Sequence, residues 1–211
     1  MKALTFYLIR HGKTEWNEQG LLQGHGDSPL TQAGIEGAKR TAYALSDVHF
    51  VAAYASGLSR AIETANTILQ HKSTPLICHT DLNELAFGSW EGQSFQQLAL
   101  LPEYAQMKHD PAQYHALSNQ GETYEQLAKR AMGVIDEIIQ TYSEGNILIV
   151  SHGHTLRMLL ALFQGGTWQT HRENTSSLAN TSISVVRYQQ TLEGQGTFLL
   201  EKINDVSHLT R

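Results

Sequence analysis

Short apolar runs and helix-period apolar patterns alternate along almost the whole chain, and few architectures accommodate that order. Residues 4–9 read as a short buried strand, and Ile35, Ala38, Ala42 and Leu45 then recur at helical spacing behind Thr31, whose hydroxyl suits an N-cap. Residues 50–55 are again strand-like and lead into a helical set of Ala61, Thr64, Ala65, Ile68 and Leu69. A weaker strand, 76–79, stands behind Pro75. Leu127, Ala131, Val134, Ile135, Ile138 and Ile139 mark a long amphipathic helix, and 146–150 is the clearest buried strand. Leu156, Leu159, Leu160 and Phe163 predict a further helix, while 183–188 and 197–203 predict two last strands. Strands and helices in alternation place the chain in the α/β class, as a three-layer fold with a mostly parallel central sheet flanked by helices.

One stretch breaks the rhythm. Residues 87–121 hold Phe87, Trp90, Phe95, Tyr104 and Tyr114 with one lysine and no arginine, and read as a cap-like insertion over one end of the sheet. No linker, repeat or charge block divides the rest, so residues 1–211 are expected to form a single domain with a sizeable core. The net charge of −5 argues against broad binding to a polyanion, and no nucleic-acid partner is expected. Cys78 is the single cysteine, which excludes an intramolecular disulfide and a cysteine-based zinc site. The apolar run 3–9 is too short for a signal-peptide core or a membrane span, so a cytoplasmic protein without a membrane partner is expected; nothing in the sequence fixes its oligomeric state.

In an open α/β sheet, ligands bind beyond the carboxyl ends of the strands. Arg10-His11-Gly12 directly follows the first strand, Ser151-His152-Gly153 follows the strand ending at Val150, and Arg60 lies just past the strand 50–55. If those strands are neighbours, two histidines and two arginines converge. Alone they repel one another; an anion resolves the conflict, with the arginine forks and helix N-termini near Gly153 and Gly12 as donors. The same field keeps an imidazole neutral, and a neutral imidazole can attack phosphorus. Gly12-Lys13-Thr14 imitates the end of a nucleotide-binding P-loop, but Tyr7 stands where that loop needs glycine. His154, two residues past His152, lacks the carboxylate or cysteine company of a metal pair. His25, His71, His109 and His171 have no motif context and are expected to face solvent.

The string Leu8-Ile9-Arg10-His11-Gly12-Lys13-Thr14-Glu15-Trp16-Asn17 with Gln23-Gly24 resembles the signature of the histidine phosphatase superfamily, which includes the cofactor-dependent phosphoglycerate mutases. Ser56 to Ala61, Leu82-Asn83-Glu84, Phe87 to Gly92, Gly121-Glu122-Thr123, Val150 to His154 and Asn180 to Ile183 match in the same order. Lys13 departs from the glutamate most often found there, and Gly57 from a common acidic residue. The resemblance implies a phosphoglycerate mutase-like fold and a phosphohistidine on His11. It gives Arg10, Arg60 and His152 the phosphoryl oxygens, with His152 also counted as catalytic. Asn17, the backbone around Gln23 and Gly24, and Gly153 become further donors. Glu84 becomes the general acid, since a carboxyl group beside a phosphate dianion favours its protonated form. It implies a small-molecule phosphomonoester as partner, no metal and no cofactor.

Within the family the choice lies between a phosphatase and a phosphoglycerate mutase. A mutase must hold a second anionic group, yet the window 61–128 has only Lys72 and Lys108 as cations up to its last residue, and the long basic insertion of mutases is missing. The expectation is therefore a phosphomonoester phosphatase whose leaving group is neutral or partly apolar, with the mutase as the alternative.

Overall fold

The alternating apolar periods become the two faces of one sheet in the computed structural model, which describes residues 1–192 and 194–210. Its strands are β1 (Lys2–Arg10), β2 (Phe50–Ala55), β3 (Leu76–Cys78), β4 (Glu144–Ser151), β5 (Ile183–Gln190) and β6 (Thr197–Asp205). They run in the order β3-β2-β4-β1-β5-β6. The four strands from β3 to β1 are mutually parallel, whereas β5 and β6 are antiparallel additions at one edge. Parallel neighbours need crossover connections. Those from β1 to β2 and from β2 to β3 pass through α1 (Glu15–Gln19) with α2 (Gln32–Ala44), and through α3 (Ser59–Leu69). The return to β4 passes through α4 (Phe95–Leu98), α5 (Pro102–His109) and α6 (Tyr124–Thr141), and α7 (Gly153–Phe163) leads on to β5.

Period two within the strands sorts the core into layers. Leu4, Phe6, Leu8, Ile147 and Ile149 face Val134, Ile135 and Ile138 of α6 and Leu156 and Leu159 of α7. Ile9, Leu148 and Val150 face the opposite way, against Ala61, Ala65 and Ile68 of α3. Every α3 position expected to be apolar is buried, and Thr31 caps α2 by accepting from the Gly34 N–H at 3.1 Å. The last sheet residues sit in register: Arg10 lies opposite Ser151, and Ala55 opposite Val150. The carboxyl ends of β2, β4 and β1 therefore form one ledge.

Residues 87–121 build a second, smaller core. Phe87, Trp90, Tyr104 and Tyr114 pack with Tyr124 and Leu127 of α6 and Met158 of α7, with the Trp90 and Tyr104 rings edge-on at 5.7 Å. Its aromatic content reflects this separate packing, which also accounts for the break in the strand–helix rhythm.

Candidate active site

The ledge delivers the predicted cluster. The His11 N–H donates to the Ser151 carbonyl at 2.9 Å, and the His11 and His152 ring centroids lie 5.0 Å apart. Arg60, in the first turn of α3, is 1% exposed. His11 Nδ1 stands 2.7 Å from the Gly12 carbonyl oxygen. A carbonyl can only accept, so Nδ1 carries the proton and Nε2 keeps its lone pair. Burial, and then the charges of Arg10 and Arg60, push the His11 imidazolium well below the usual histidine range. Burial and the Arg60 charge do the same to His152, whose Nε2 lies 2.6 Å from Ser56 Oγ.

Arg10 Nε, Arg60 Nε and His152 Nδ1 are buried without a hydrogen-bond partner among the described residues. A buried polar group left unsatisfied costs about 1–3 kcal/mol, so three in one cluster are a standing invitation to an acceptor-rich anion. The rest of the Arg60 fork is fixed. It donates to the Gly24 carbonyl at 2.6 Å, the Gly26 carbonyl at 2.9 Å and Asp27 Oδ1 at 3.1 Å. Burial works against the Asp27 carboxylate, but hydrogen bonds from Ser59 and Arg60 hold it below its ordinary value. Glu91 fastens the same loop by accepting the His25, Gly26 and Phe87 N–H groups. Gly24 is needed for close approach, since a Cβ there would lie 2.6 Å from the Leu85 carbonyl oxygen.

Glu84 is 5% exposed and sits at the N-terminus of α7. Its Oε2 accepts the His154 N–H at 3.0 Å, and its Oε1 accepts the Leu85 and Thr155 N–H groups at 2.9 and 3.1 Å. A Cβ at Gly153 would lie 3.5 Å from Arg10 Cζ and 3.7 Å from Glu84 Oε2, so the guanidinium and the carboxylate flank that glycine. The Glu84 loop is clamped from behind by Arg130, which donates to the Asp81, Asn83 and Glu84 carbonyls and pairs with Glu122.

Several residues have further tasks, and one lies elsewhere than expected. Gly24 serves through its carbonyl on Arg60. The Gly12 N–H is spent on Thr64 Oγ1 at 2.9 Å, and the helix near it, the five-residue α1, starts behind its Thr14 cap. Asn17 lines the pocket, but its Oδ1 also accepts from the Thr14 N–H and Asn180 Nδ2. The Gln23 amide bridges Thr14 Oγ1 and Ser28 Oγ at the pocket wall. His171 does not face solvent: it is 1% exposed, packed on Tyr124 with ring centroids 4.3 Å apart.

The cavity in front of Arg10, His11 and Glu84 measures about 390 Å³. Phe87, Phe95, Tyr104 and Met107 supply its apolar wall, and Lys108, Arg157 and Arg172 add three more cations to its lining. Arg157 and Arg172 went unnoticed in the sequence. Arg157 lies four residues after Gly153 on α7, the spacing of a shared helix face, and that signal could have found it. Arg172, in the segment after α7, carried none.

The neutral histidines make stability acid-sensitive. His11, His152 and His154 lie well below the ordinary histidine value of 6.5, and burial pushes His171 down to about 3. Above that ordinary value neither state binds these protons; below it the unfolded chain takes them up first. Stability is thus full above about pH 6.5 and falls beneath it, by about 1.4 kcal/mol per pH unit for each such group. Calorimetric melting in phosphate-free buffer should show a marked drop between about pH 7 and about pH 5. Equal midpoints would contradict the neutral buried state.

Fold and site together define an α/β protein with a cationic pocket at the carboxyl edge of its sheet, built around two buried histidines. The chain belongs to the histidine phosphatase superfamily (branch 1), whose family model matches residues 6–204. It is 32% identical over 207 residues to a probable phosphoglycerate mutase GpmB from Proteus mirabilis, covering 98% of this chain and 95% of that protein. It is 33% identical over 170 residues to an adenosylcobalamin/alpha-ribazole phosphatase from Escherichia coli, covering 77% and 80%. The solved structure of Bacillus stearothermophilus YhfR superposes with a TM-score of 0.87 at 30% identity, over 98% of this chain and 99% of that one. The phosphoglycerate mutase-like α/β fold is therefore the one the sequence resemblance implied. No helix among the described residues is long and apolar enough to cross a membrane.

Proposed function

We propose that the chain is a phosphomonoester phosphatase acting on a small molecule through a phosphohistidine on His11. The observation that carries this reading is the pairing of a neutral imidazole, its Nε2 lone pair set by the Gly12 carbonyl, with three buried cationic-site nitrogens that lack partners. In this reading a phosphoryl group docks on Arg10, Arg60 and His152, with Asn17, Gln23 and Gly153 around it. His11 Nε2 forms a bond to phosphorus as the bond to the ester oxygen breaks, and Glu84 gives its proton to the departing alkoxide. Water then attacks the phosphohistidine, Glu84 takes the water's proton, and the nitrogen–phosphorus bond breaks to release inorganic phosphate. The arginines neutralise charge spreading over the equatorial oxygens, the task a metal performs elsewhere. Residues 87–121 act as a cap whose aromatic wall holds the leaving group.

The cations Lys108, Arg157 and Arg172 give the mutase alternative a specific footing, since they could hold the second anionic group of a phosphoglycerate. One assay compares the two: purified protein without added metal, given either an aryl phosphate or 3-phosphoglycerate with bisphosphoglycerate. Phosphate release is expected to exceed mutase turnover. The reverse order would overturn the phosphatase reading.

A further inference from the structure

We infer that Arg172 and Lys108, with Arg157 behind them, form a second anion subsite, so that the leaving group carries a carboxylate or comparable anionic group. The inference rests on the phosphatase reading and sharpens its substrate class. It also replaces the expectation of a neutral leaving group, which counted cations only over 61–128 and so missed two of the three.

The charges around the cavity are unbalanced. Arg10, Lys108, Arg157 and Arg172 line it, while Glu84 is the single acid among the lining residues and its oxygens already accept three backbone N–H groups. Arg157 spends its guanidinium on the Thr175 hydroxyl at 2.9 Å and on the Arg172 and Thr175 carbonyls. These bonds fold the following segment back, so that Arg172 is delivered beside Arg157. Arg172 donates to the Tyr124 hydroxyl at 3.1 Å, a neutral group kept protonated by burial. Lys108 lies over the Tyr104 ring at 4.9 Å and lines the same cavity. Two half-buried arginines side by side, with a lysine lining the same cavity, disfavour one another's charge unless an anion joins them. The like charge is felt: burial and Arg172 together bring Arg157 down to about 10, and His154 lies in the field of all four cations.

The spacing sets the reach. Gly153 lies beside Arg10 at the phosphoryl end, and Arg157, which holds the Arg172 segment, stands four residues or about 6 Å further along α7 at the helical rise. A phosphate and a second anion separated by a few bonds, or by one aromatic ring, match that distance. The planar arginine fork suits a carboxylate.

The test compares 3-carboxyphenyl phosphate with 3-carbamoylphenyl phosphate, which match in size and differ in charge. The carboxamide makes the better leaving group, so intrinsic reactivity works against the expected preference. Wild type should favour the carboxylate by about tenfold or more in kcat/KM, the value of a charge-assisted contact. In Arg172→Gln that ratio should fall toward one. Lys108 is exposed on α5, so Lys108→Gln carries no risk to folding, and it should lower the ratio by several-fold. Hydrolysis of both esters without preference overturns the subsite and leaves the phosphatase reading standing. A preference that persists in both variants overturns these residues as its source. Hydrolysis of neither ester defeats the phosphatase reading itself, and the subsite with it.

Discussion

The variant His11→Ala is expected to lose at least about 10⁴-fold in kcat and to carry no phosphate when quenched during turnover, whereas wild type yields an acid-labile, base-stable phosphoprotein. The size of the effect follows from how completely the site commits to one nitrogen. The Nδ1 proton is fixed on the Gly12 carbonyl at 2.7 Å, and burial beside Arg10 and Arg60 keeps the ring neutral and its Nε2 lone pair available. Alanine removes the nucleophile and leaves the arginine cradle, so the variant should still bind inorganic phosphate. His152 is no substitute: its Nε2 is engaged by Ser56 Oγ at 2.6 Å, and its Nδ1 belongs to the buried set assigned to the phosphoryl oxygens. Retention of turnover within tenfold of wild type, or phosphate trapped on His152, would overturn the assignment.

The cluster around His11 was legible because of one physical regularity. Continuous apolar runs mark strands buried on both faces, and residues just past such strands meet at the carboxyl edge when the strands are adjacent. The sequence groups Arg10, His11, Arg60 and His152 on the condition that their strands are neighbours, and the order β2-β4-β1 meets that condition. What surrounds them depends on contacts between distant segments that leave no period in the sequence. Arg172 reaches the cavity because Tyr124 and Arg157 hold its segment, and His171 is buried by an aromatic core that starts at Phe87. The contact of the Gly24 carbonyl with Arg60, in a loop packed closely on Leu85 and Glu91, likewise leaves no period to read. Strand edges were legible to within a few residues, whereas β5 and β6 as antiparallel partners of the sheet were not, since direction is set by the connection and not by the run itself.

Glu84→Gln should separate the two halves of the reaction. For an alkyl phosphate, kcat/KM is expected to fall by about 10²–10⁴-fold, because an alkoxide departs poorly without a proton. For an aryl phosphate with a stable phenolate, kcat/KM should fall far less, since that leaving group needs little protonation. Both substrates share the hydrolysis of the phosphohistidine, where Glu84 serves as base, so kcat should fall for the aryl ester as well and phosphoenzyme should accumulate in an initial burst. The amide replaces a carboxyl group that takes the His154 N–H on one oxygen and the Leu85 and Thr155 N–H groups on the other. Its oxygen can keep one side of that cradle while its NH₂ faces a donor on the other, so some local loosening at the start of α7 accompanies the chemical effect. Loosening alone would slow both esters alike, because each uses the same phosphoryl site. The discriminating quantity is therefore the ratio of the two kcat/KM losses: a ratio of about one would remove Glu84 from the acid role, and a ratio of about tenfold or more in favour of the alkyl loss would secure it.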